Sequence, residues 1–316
     1  MNAASLTFHA PHALSAISFD ETDFLGGNKG KTLQTNMRFI VRPGIGLLKT
    51  AFRALSATVP ELAARLGSRV LATPPRHQTP AWEQQLKSTA QRCEIRVGKR
   101  IIQVYEWGAG PVVLLSHCWG GRATQLGHLV RPLVARGYRV VAFDGPGHGE
   151  SGIGQTDMIE FPAVIRAVAN HAGPLHALVG HSFGAAMSAL TLHNEDCVTN
   201  KLVLIGSFTD CEWFTQAFAD YFHIPANVLR LMRERFSARH RREIDWQRLS
   251  VRCALQANAL PTLIIHDVYD REIPFDHALQ LKAAAPRAEL FATKGLGHRR
   301  ILRDGKVMER IVKFID

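Results

Sequence analysis

The chain has 316 residues, of which 46% are hydrophobic and 21% charged, and carries a formal net charge of +11. That size describes a globular protein able to bury a substantial core, either one large α/β domain with additions or two ordinary domains. No run approaches the roughly 18 apolar residues of a membrane span, and no basic-then-apolar leader opens the chain, so a cytoplasmic protein without a transmembrane segment is expected.

The five cysteines, Cys93, Cys118, Cys197, Cys211 and Cys253, are scattered and contain no Cys-x-x-Cys pair, which argues against a disulfide framework and a zinc site. The positive charge is spread thinly apart from a cluster between Arg230 and Arg242, and no nucleic-acid-binding motif accompanies it, so nucleic acid is not an expected partner.

Residues 1 to 32 are polar and lack periodicity, and read as an arm. Within them Gly26-Gly27-Asn28-Lys29-Gly30-Lys31-Thr32 imitates a phosphate loop, but only three residues separate Gly26 from Gly30 and no apolar strand precedes it, so nucleotide binding is set aside. From Leu33 to Leu71 apolar residues recur at helical spacing, and Pro43-Gly44 and Pro60 divide the stretch into two or three amphipathic helices. Their stripes serve either packing on the main domain or, within 33–71, docking of a lipid surface or partner chain. An extended link at 72–76 and a short helix near 82–90 complete an N-terminal arm and helical extension over 1–92.

Ordered α/β structure is expected from Cys93. Residues 94–97 and 101–106 read as a hairpin around Gly98-Lys99, and Val112 to Ser116 is a wholly apolar run suited to a strand covered on both faces. A helix at 123–136, a strand at 139–143, a helix at 157–171, a strand at 175–179, a helix at 184–194 and a strand at 201–206 follow. This alternation predicts a mostly parallel sheet with helices on both faces and active residues at the strands' carboxyl ends. It pauses over 208–260, an insertion rich in Phe, Trp and Arg. Then come a strand at 262–266, a helix near 275–285, a strand at 288–292 and a closing helix from 299 to 315.

The run from Leu175 to Val179 stops at Gly180-His181-Ser182-Phe183-Gly184 and continues as a helix former, the arrangement of a nucleophile elbow. There Ser182 would sit on a sharp turn, with the Phe183 N–H at the new helix's N-terminus. Candidate partners follow in the order this architecture imposes: an acid at Asp270, with Asp267 as its rival, and a base at His298 in Gly295-Leu296-Gly297-His298.

With His117-Cys118-Trp119-Gly120-Gly121 and Asp144-Gly145-Pro146-Gly147-His148-Gly149-Glu150-Ser151, these motifs make residues 93–316 resemble the α/β-hydrolase family, in particular its cap-bearing esterase-like members. The N-terminal helical extension is similar to those of some uncharacterised bacterial members. The resemblance implies Ser182 as nucleophile, His298 as general base and Asp270 as the orienting carboxylate, the family's acid standing three residues beyond the position of Asp267. It implies an oxyanion hole from the backbone N–H groups of Phe183 and Trp119, with Cys118 where the family usually has Gly. His117 and His181 flank the site, as loop-bonding groups by preference to catalytic ones. The insertion 208–260 would be a helical cap, bringing Trp213 and Phe214 to the pocket beside Cys118. The arginines from Arg230 to Arg242 form either a solvated face or an attractor of anions.

A small-molecule ester or thioester with an apolar acyl group is the implied substrate, with no cofactor or metal. Acyl transfer, C–C hydrolysis, a haloperoxidase-like activity on the same triad and a non-enzymatic ligand-binding role stay open. Epoxide hydrolases and dehalogenases of this fold carry Asp where this chain has Ser182.

Overall fold

A computed structural model describes residues 45–193, 199–241, 243–258 and 260–316. The arm at 1–32, its phosphate-loop imitation, the apolar positions from Leu33 to Val41, Cys197 and Arg242 lie outside the described residues.

Eight strands form one sheet in the order β1-β2-β4-β3-β5-β6-β7-β8. β1 (Gln91–Val97) and β2 (Arg100–Trp107) are the expected hairpin, and β2 also runs antiparallel to β4 (Arg139–Phe143). β3 (Val112–Ser116), β4, β5 (Leu175–His181), β6 (Thr199–Ile205), β7 (Thr262–Asp267) and β8 (Glu289–Thr293) are parallel. All five residues of β3 and all six of β7 are buried, as a strand covered on both faces requires.

Two apolar layers do the covering. On one face, α5 (Glu160–Ala172), α6 (Phe183–Leu192), α9 (Val251–Ala257) and α10 (Asp276–Ala284) pack around Leu114, Leu178 and Leu204. On the other, α3 (Ala81–Ser88), a 3-10 turn at Ala123–Leu129 leading into α4 (Val130–Val134), and α12 (Gly305–Ile315) pack around Val113, Val179 and Val203. The alternation of these residues along each strand sends them to opposite faces. The helix expected at 123–136 is thus mostly 3-10, with a kink at Leu126.

The closing helix is also broken. α11 (Gly297–Arg300) is a single turn, and α12 starts afresh where the Asp304 carboxylate accepts the Val307 N–H at 3.0 Å. Asp is a preferred N-cap because its side chain satisfies a first-turn donor, so a new start competes successfully with continuation.

The N-terminal helices α1 (Ile45–Thr58) and α2 (Pro60–Ala72) pack on α7 (Cys211–Phe222) and α8 (Ala226–Arg239) of the insertion. Phe52, Ala63 and Ala64 bury against Phe218, Phe222, Val228 and Met232. The closest approach is at Gly67, where an added Cβ would lie 2.6 Å from the Met232 sulfur. Packing therefore takes up part of these stripes, and against the insertion where the main domain was expected: Phe52 is buried, Leu48, Leu55, Leu66 and Val70 are half-buried, and Leu47, Val59 and Leu62 are exposed. The insertion is anchored at both ends in the main core, through Phe208 and the first turns of α7 (Cys211, Phe214) at one end and Val251, Ala254 and Leu255 of α9 at the other. α9 accordingly belongs with the sheet's own helices, and the stretch that stands away from the core is narrower than 208–260.

The sharp turn from β5 into α6 depends on two glycines. A Cβ on Gly180 would lie 2.5 Å from the Ala185 Cα, and one on Gly184 only 2.2 Å from the His117 carbonyl oxygen and 2.4 Å from that of Ser116. Gly180 thus lets strand and helix close on each other, whereas Gly184 lets α6 approach the end of β3. Because the obstruction is backbone, Gly184→Ala is expected to cost about 1–3 kcal/mol, read as a lowered melting temperature. Gly305→Ala, with nothing within 4 Å, should melt no lower than the parent.

Candidate active site

Ser182 is one of three described non-glycine residues with positive φ, at +56° and ψ −119°. Its N–H donates to the Ile205 carbonyl at 2.8 Å, which fixes the turn against the end of β6. Side chains rarely tolerate this region, so the conformation is held by its surroundings. The Ser182 hydroxyl makes no hydrogen bond among the described residues, and it lines an apolar cavity of about 790 Å³ together with His298.

His298 opens the turn after β8, and its Nδ1 lies 2.7 Å from Asp270 Oδ2. The other Asp270 oxygen accepts the N–H groups of Glu272 and Ile273 at 2.8 and 3.0 Å. Burial pushes the Asp270 carboxyl up, but the hydrogen bond from His298 and the charges of His298 and His266 outweigh it and hold it below the usual carboxylate range. For His298 burial pulls down, and the hydrogen bond and charge of Asp270 more than offset this, leaving it above the ordinary histidine value. The structure thus joins Asp270 to His298.

It gives Asp267 another task. That carboxylate accepts from Thr293 Oγ1 and the Leu296 N–H at 2.8 and 2.9 Å, and from the N–H groups of Tyr269 and Gly295 at 2.9 and 3.3 Å. It ties the end of β7 to the loop that presents His298.

In the loop after β3, the Cys118 N–H goes to Gln125 Oε1 at 3.2 Å, the Gly120 N–H to His148 Nε2 at 3.0 Å and the Gly121 N–H to the Cys118 carbonyl at 2.9 Å. Of residues 118–121, Trp119 alone keeps an N–H with no acceptor among the described residues. Phe183 begins α6, so its N–H is a first-turn donor with no helical acceptor. Cys118 stays outside the left-handed region, which Gly120 takes at φ +71°. Burial raises the Cys118 thiol and outweighs the hydrogen bond that Gln125 Nε2 donates to its sulfur at 3.1 Å, which by itself favours the thiolate, so the thiol stays protonated.

His117 and His148 brace this loop reciprocally with the one after β4. His117 accepts the Gly145 N–H at 2.9 Å and shares its other nitrogen with the Cys118 carbonyl; His148 accepts the Gly120 N–H and bonds the Pro146 carbonyl. His181 bonds the His298 carbonyl at 2.9 Å. Burial holds all three below the ordinary histidine value, so they are neutral supports. Asp144, whose motif was noted without a role, is the hub beneath them, accepting from the Ala123 N–H, the Glu150 N–H and the Tyr105 hydroxyl.

Aromatic rings form much of the cavity wall. Phe183 lies 5.0 Å from Trp119 and 5.4 Å from Phe214, centroid to centroid, and Trp213 is also in the wall. Leu47, Leu48 and Ala51 of α1 and Leu66 and Val70 of α2 close the far side. Sequence reasoning placed no part of the N-terminal helices at the site, because amphipathic spacing shows that a helix face is buried and not what it is buried against.

Among the described residues one group could hold a metal ion: Cys93, Glu106 and His171, whose ligand atoms lie within 4.8 Å of one another. Glu106 pairs with Val141 in the middle of β4, and His171 lies in α5 ahead of β5, so the group sits toward the amino ends of the parallel strands, away from Ser182. Arg139 approaches the same Glu106 carboxylate at 3.8 Å. No described helix is long and apolar enough to cross a membrane.

The order of strands, the turn at Ser182 and the Asp270–His298 pair define an α/β architecture with these groups at the carboxyl ends of the strands. The chain belongs to the alpha/beta hydrolase family, whose family model matches residues 113–310. It is similar to a non-heme haloperoxidase of Rhodococcus erythropolis, at 37% identity over 108 residues, 32% of this chain and 39% of that protein's length. Its fold is shared with an esterase from Exiguobacterium antarcticum (TM-score 0.56, 18% identity, 71% of this chain and 99% of that one). A thioesterase domain from the curacin biosynthetic pathway also shares it (TM-score 0.52, 20% identity, 72% and 98%).

Proposed function

We propose that the chain is a serine hydrolase that cleaves a carboxylic ester or thioester of an apolar acyl group through an acyl-enzyme on Ser182. The observation that carries this reading is the strained Ser182 sharing one apolar cavity with a histidine whose far nitrogen is held by a buried carboxylate.

A serine hydroxyl is too weak an acid to ionise unaided. His298 Nε2 takes its proton as Oγ attacks the acyl carbon, and the Asp270 carboxylate stabilises the imidazolium formed. The carbonyl oxygen becomes an oxyanion, which the N–H groups of Phe183 and Trp119 are free to receive. As the tetrahedral intermediate collapses, the bond to the leaving group breaks and His298 returns the proton to the departing oxygen or sulfur. Water then repeats the sequence, with His298 as base, and frees the acid and Ser182. Hydrogen bonds of this kind commonly tighten only when substrate is bound, which accommodates the unbonded Ser182 hydroxyl.

In this reading α7 and α8, within 208–260, are a cap over the nucleophile, and residues 1–92 are an extension that leans on it. The likeness to the Rhodococcus haloperoxidase keeps a haloperoxidase-like reaction on the same serine as the second reading. A fluorophosphonate probe tests the first step common to both. Ser182 is expected to be the labelled residue when the peptides are mapped, and folded protein left unlabelled would remove the proposal.

A further inference from the structure

A second cavity, of about 710 Å³, adjoins the one that holds Ser182, and Trp119, Phe183 and Phe214 belong to the walls of both. Its chemistry is different. Arg65 and Arg69 enter it from α2, and Arg233, Arg235 and Arg239 from the facing α8, against the single carboxylate of Asp157. That carboxylate is already engaged, 3.0 Å from His240 and 3.7 Å from Arg239. Arg233 is fixed by Glu212 and Thr215 and lies over the Trp246 ring. Arg65, Arg69 and Arg235 have no ion pair among the described residues. The hydroxyls of Ser68 and Thr156 in the same wall are buried and have no hydrogen-bond partner among the described residues.

A merely solvated cationic face would disperse its charges or pair them along the helix, as Arg230 does with Glu234 outside this cavity. Here five arginines from two helices line one cavity, and Arg65 and Arg69 stand four apart on one helix, a spacing at which like charges repel. Such a concentration of like charge attracts an anion. With Arg233 paired to Glu212 and Arg239 to Asp157, the charges of Arg65, Arg69 and Arg235 remain, more than one carboxylate ligand would balance and suited to a phosphate, which carries up to two charges and accepts forked guanidinium bonds. The scissile bond must lie beside Ser182 and His298, which only the apolar cavity contains.

Resting on the hydrolase reading above, we propose that the substrate is an ester or thioester with an apolar acyl group and a phosphate-bearing leaving group. The acyl chain occupies the cavity beside Ser182, and the phosphate lies beyond Trp119 and Phe214 among Arg65, Arg69, Arg233, Arg235 and Arg239. The bond chemistry is that already given; phosphate is bound and not transferred.

The test compares four hexanoyl substrates on the full chain. Hexanoyl-4′-phosphopantetheine and hexanoyl-pantetheine share the thioester and differ in phosphate, while 1-hexanoyl-glycerol 3-phosphate and 1-hexanoyl-glycerol make the same contrast for oxygen esters. The parent is expected to favour at least one phosphorylated substrate over its neutral counterpart by about tenfold or more in kcat/KM, chiefly through KM. Which of the two is favoured tells a soluble carrier from a lipid-type ester. In Arg65→Ala/Arg235→Ala, both exposed residues away from the Ser182 cavity, that ratio should fall about tenfold, and 0.5 M salt should compress it in the parent.

A parent without preference for either phosphorylated substrate, or a ratio untouched by the arginine changes, overturns the inference even if neutral esters are cleaved. Should no ester be cleaved and Ser182 resist labelling, the hydrolase reading fails separately. Calorimetric titration of the thioether S-hexyl-4′-phosphopantetheine and of hexyl glycerol 3-phosphate ether, inert analogues of both, then decides the cavity's own case, and absence of binding by either overturns it.

Discussion

Ser182→Ala should lower kcat/KM for p-nitrophenyl hexanoate by about 10³- to 10⁶-fold, the range over which loss of a serine nucleophile leaves only binding and oxyanion stabilisation. Fluorophosphonate labelling should vanish with it. The fold has little reason to suffer, since the Ser182 hydroxyl makes no hydrogen bond among the described residues and the turn is fixed by the backbone N–H to Ile205. Ser182→Gly sharpens the expectation. At φ +56° glycine relieves strain that serine bears, so this variant should melt at or above the parent temperature while being equally inactive. A Ser182→Ala protein retaining more than about a tenth of parental turnover would assign the chemistry elsewhere.

Asp270→Ala and Asp267→Ala should separate, although the two carboxylates are three residues apart. Without Asp270, His298 loses the partner at 2.7 Å that orients it and stabilises its cation, and turnover should fall about 10⁴-fold. The pH profile gives the finer reading. His298 acts as a base only when neutral, so activity is lost as pH falls through its pKa, which Asp270 holds above the ordinary histidine value. In Asp270→Asn that support is gone while burial remains, and the acid limb should move to lower pH. Asp267→Ala instead strands the donors of Thr293, Leu296, Tyr269 and Gly295, so its primary effect should be a lower melting temperature. Full activity in Asp270→Ala would sink this assignment.

The sheet was legible because its signal is local. β3 and β4 fall on the expected residues, and β5, β6, β7 and β8 lie within two residues at either end, since apolar runs bounded by Gly and Pro leave few alternatives. The turn at Ser182 was legible for the same reason, two glycines being required within five residues. Gly184 shows the limit of that reasoning, since what it must avoid is β3, about 65 residues earlier in the chain. The split of the closing helix at Asp304 turns on one capping hydrogen bond that competes with helix continuation, and periodicity through the break looks uninterrupted. Least legible was the wall of the cavity. Arg65 and Arg69 carry no signal of their own in the sequence and come to the cavity wall only because α2 lies against α8, a pairing with Gly67 against Met232 that no motif announces.

That pairing has a further consequence. The groups proposed to perform the reaction all lie between Trp119 and His298, while one side of the binding space is built by α1 and α2, outside the stretch that the family model matches. On the proposed function, chemistry and part of the selectivity would be carried by separable parts of one polypeptide. Changes along residues 45–72 can retune which molecules are admitted without disturbing the turn at Ser182 or the Asp270–His298 pair, so two chains alike from β3 onward need not share a substrate.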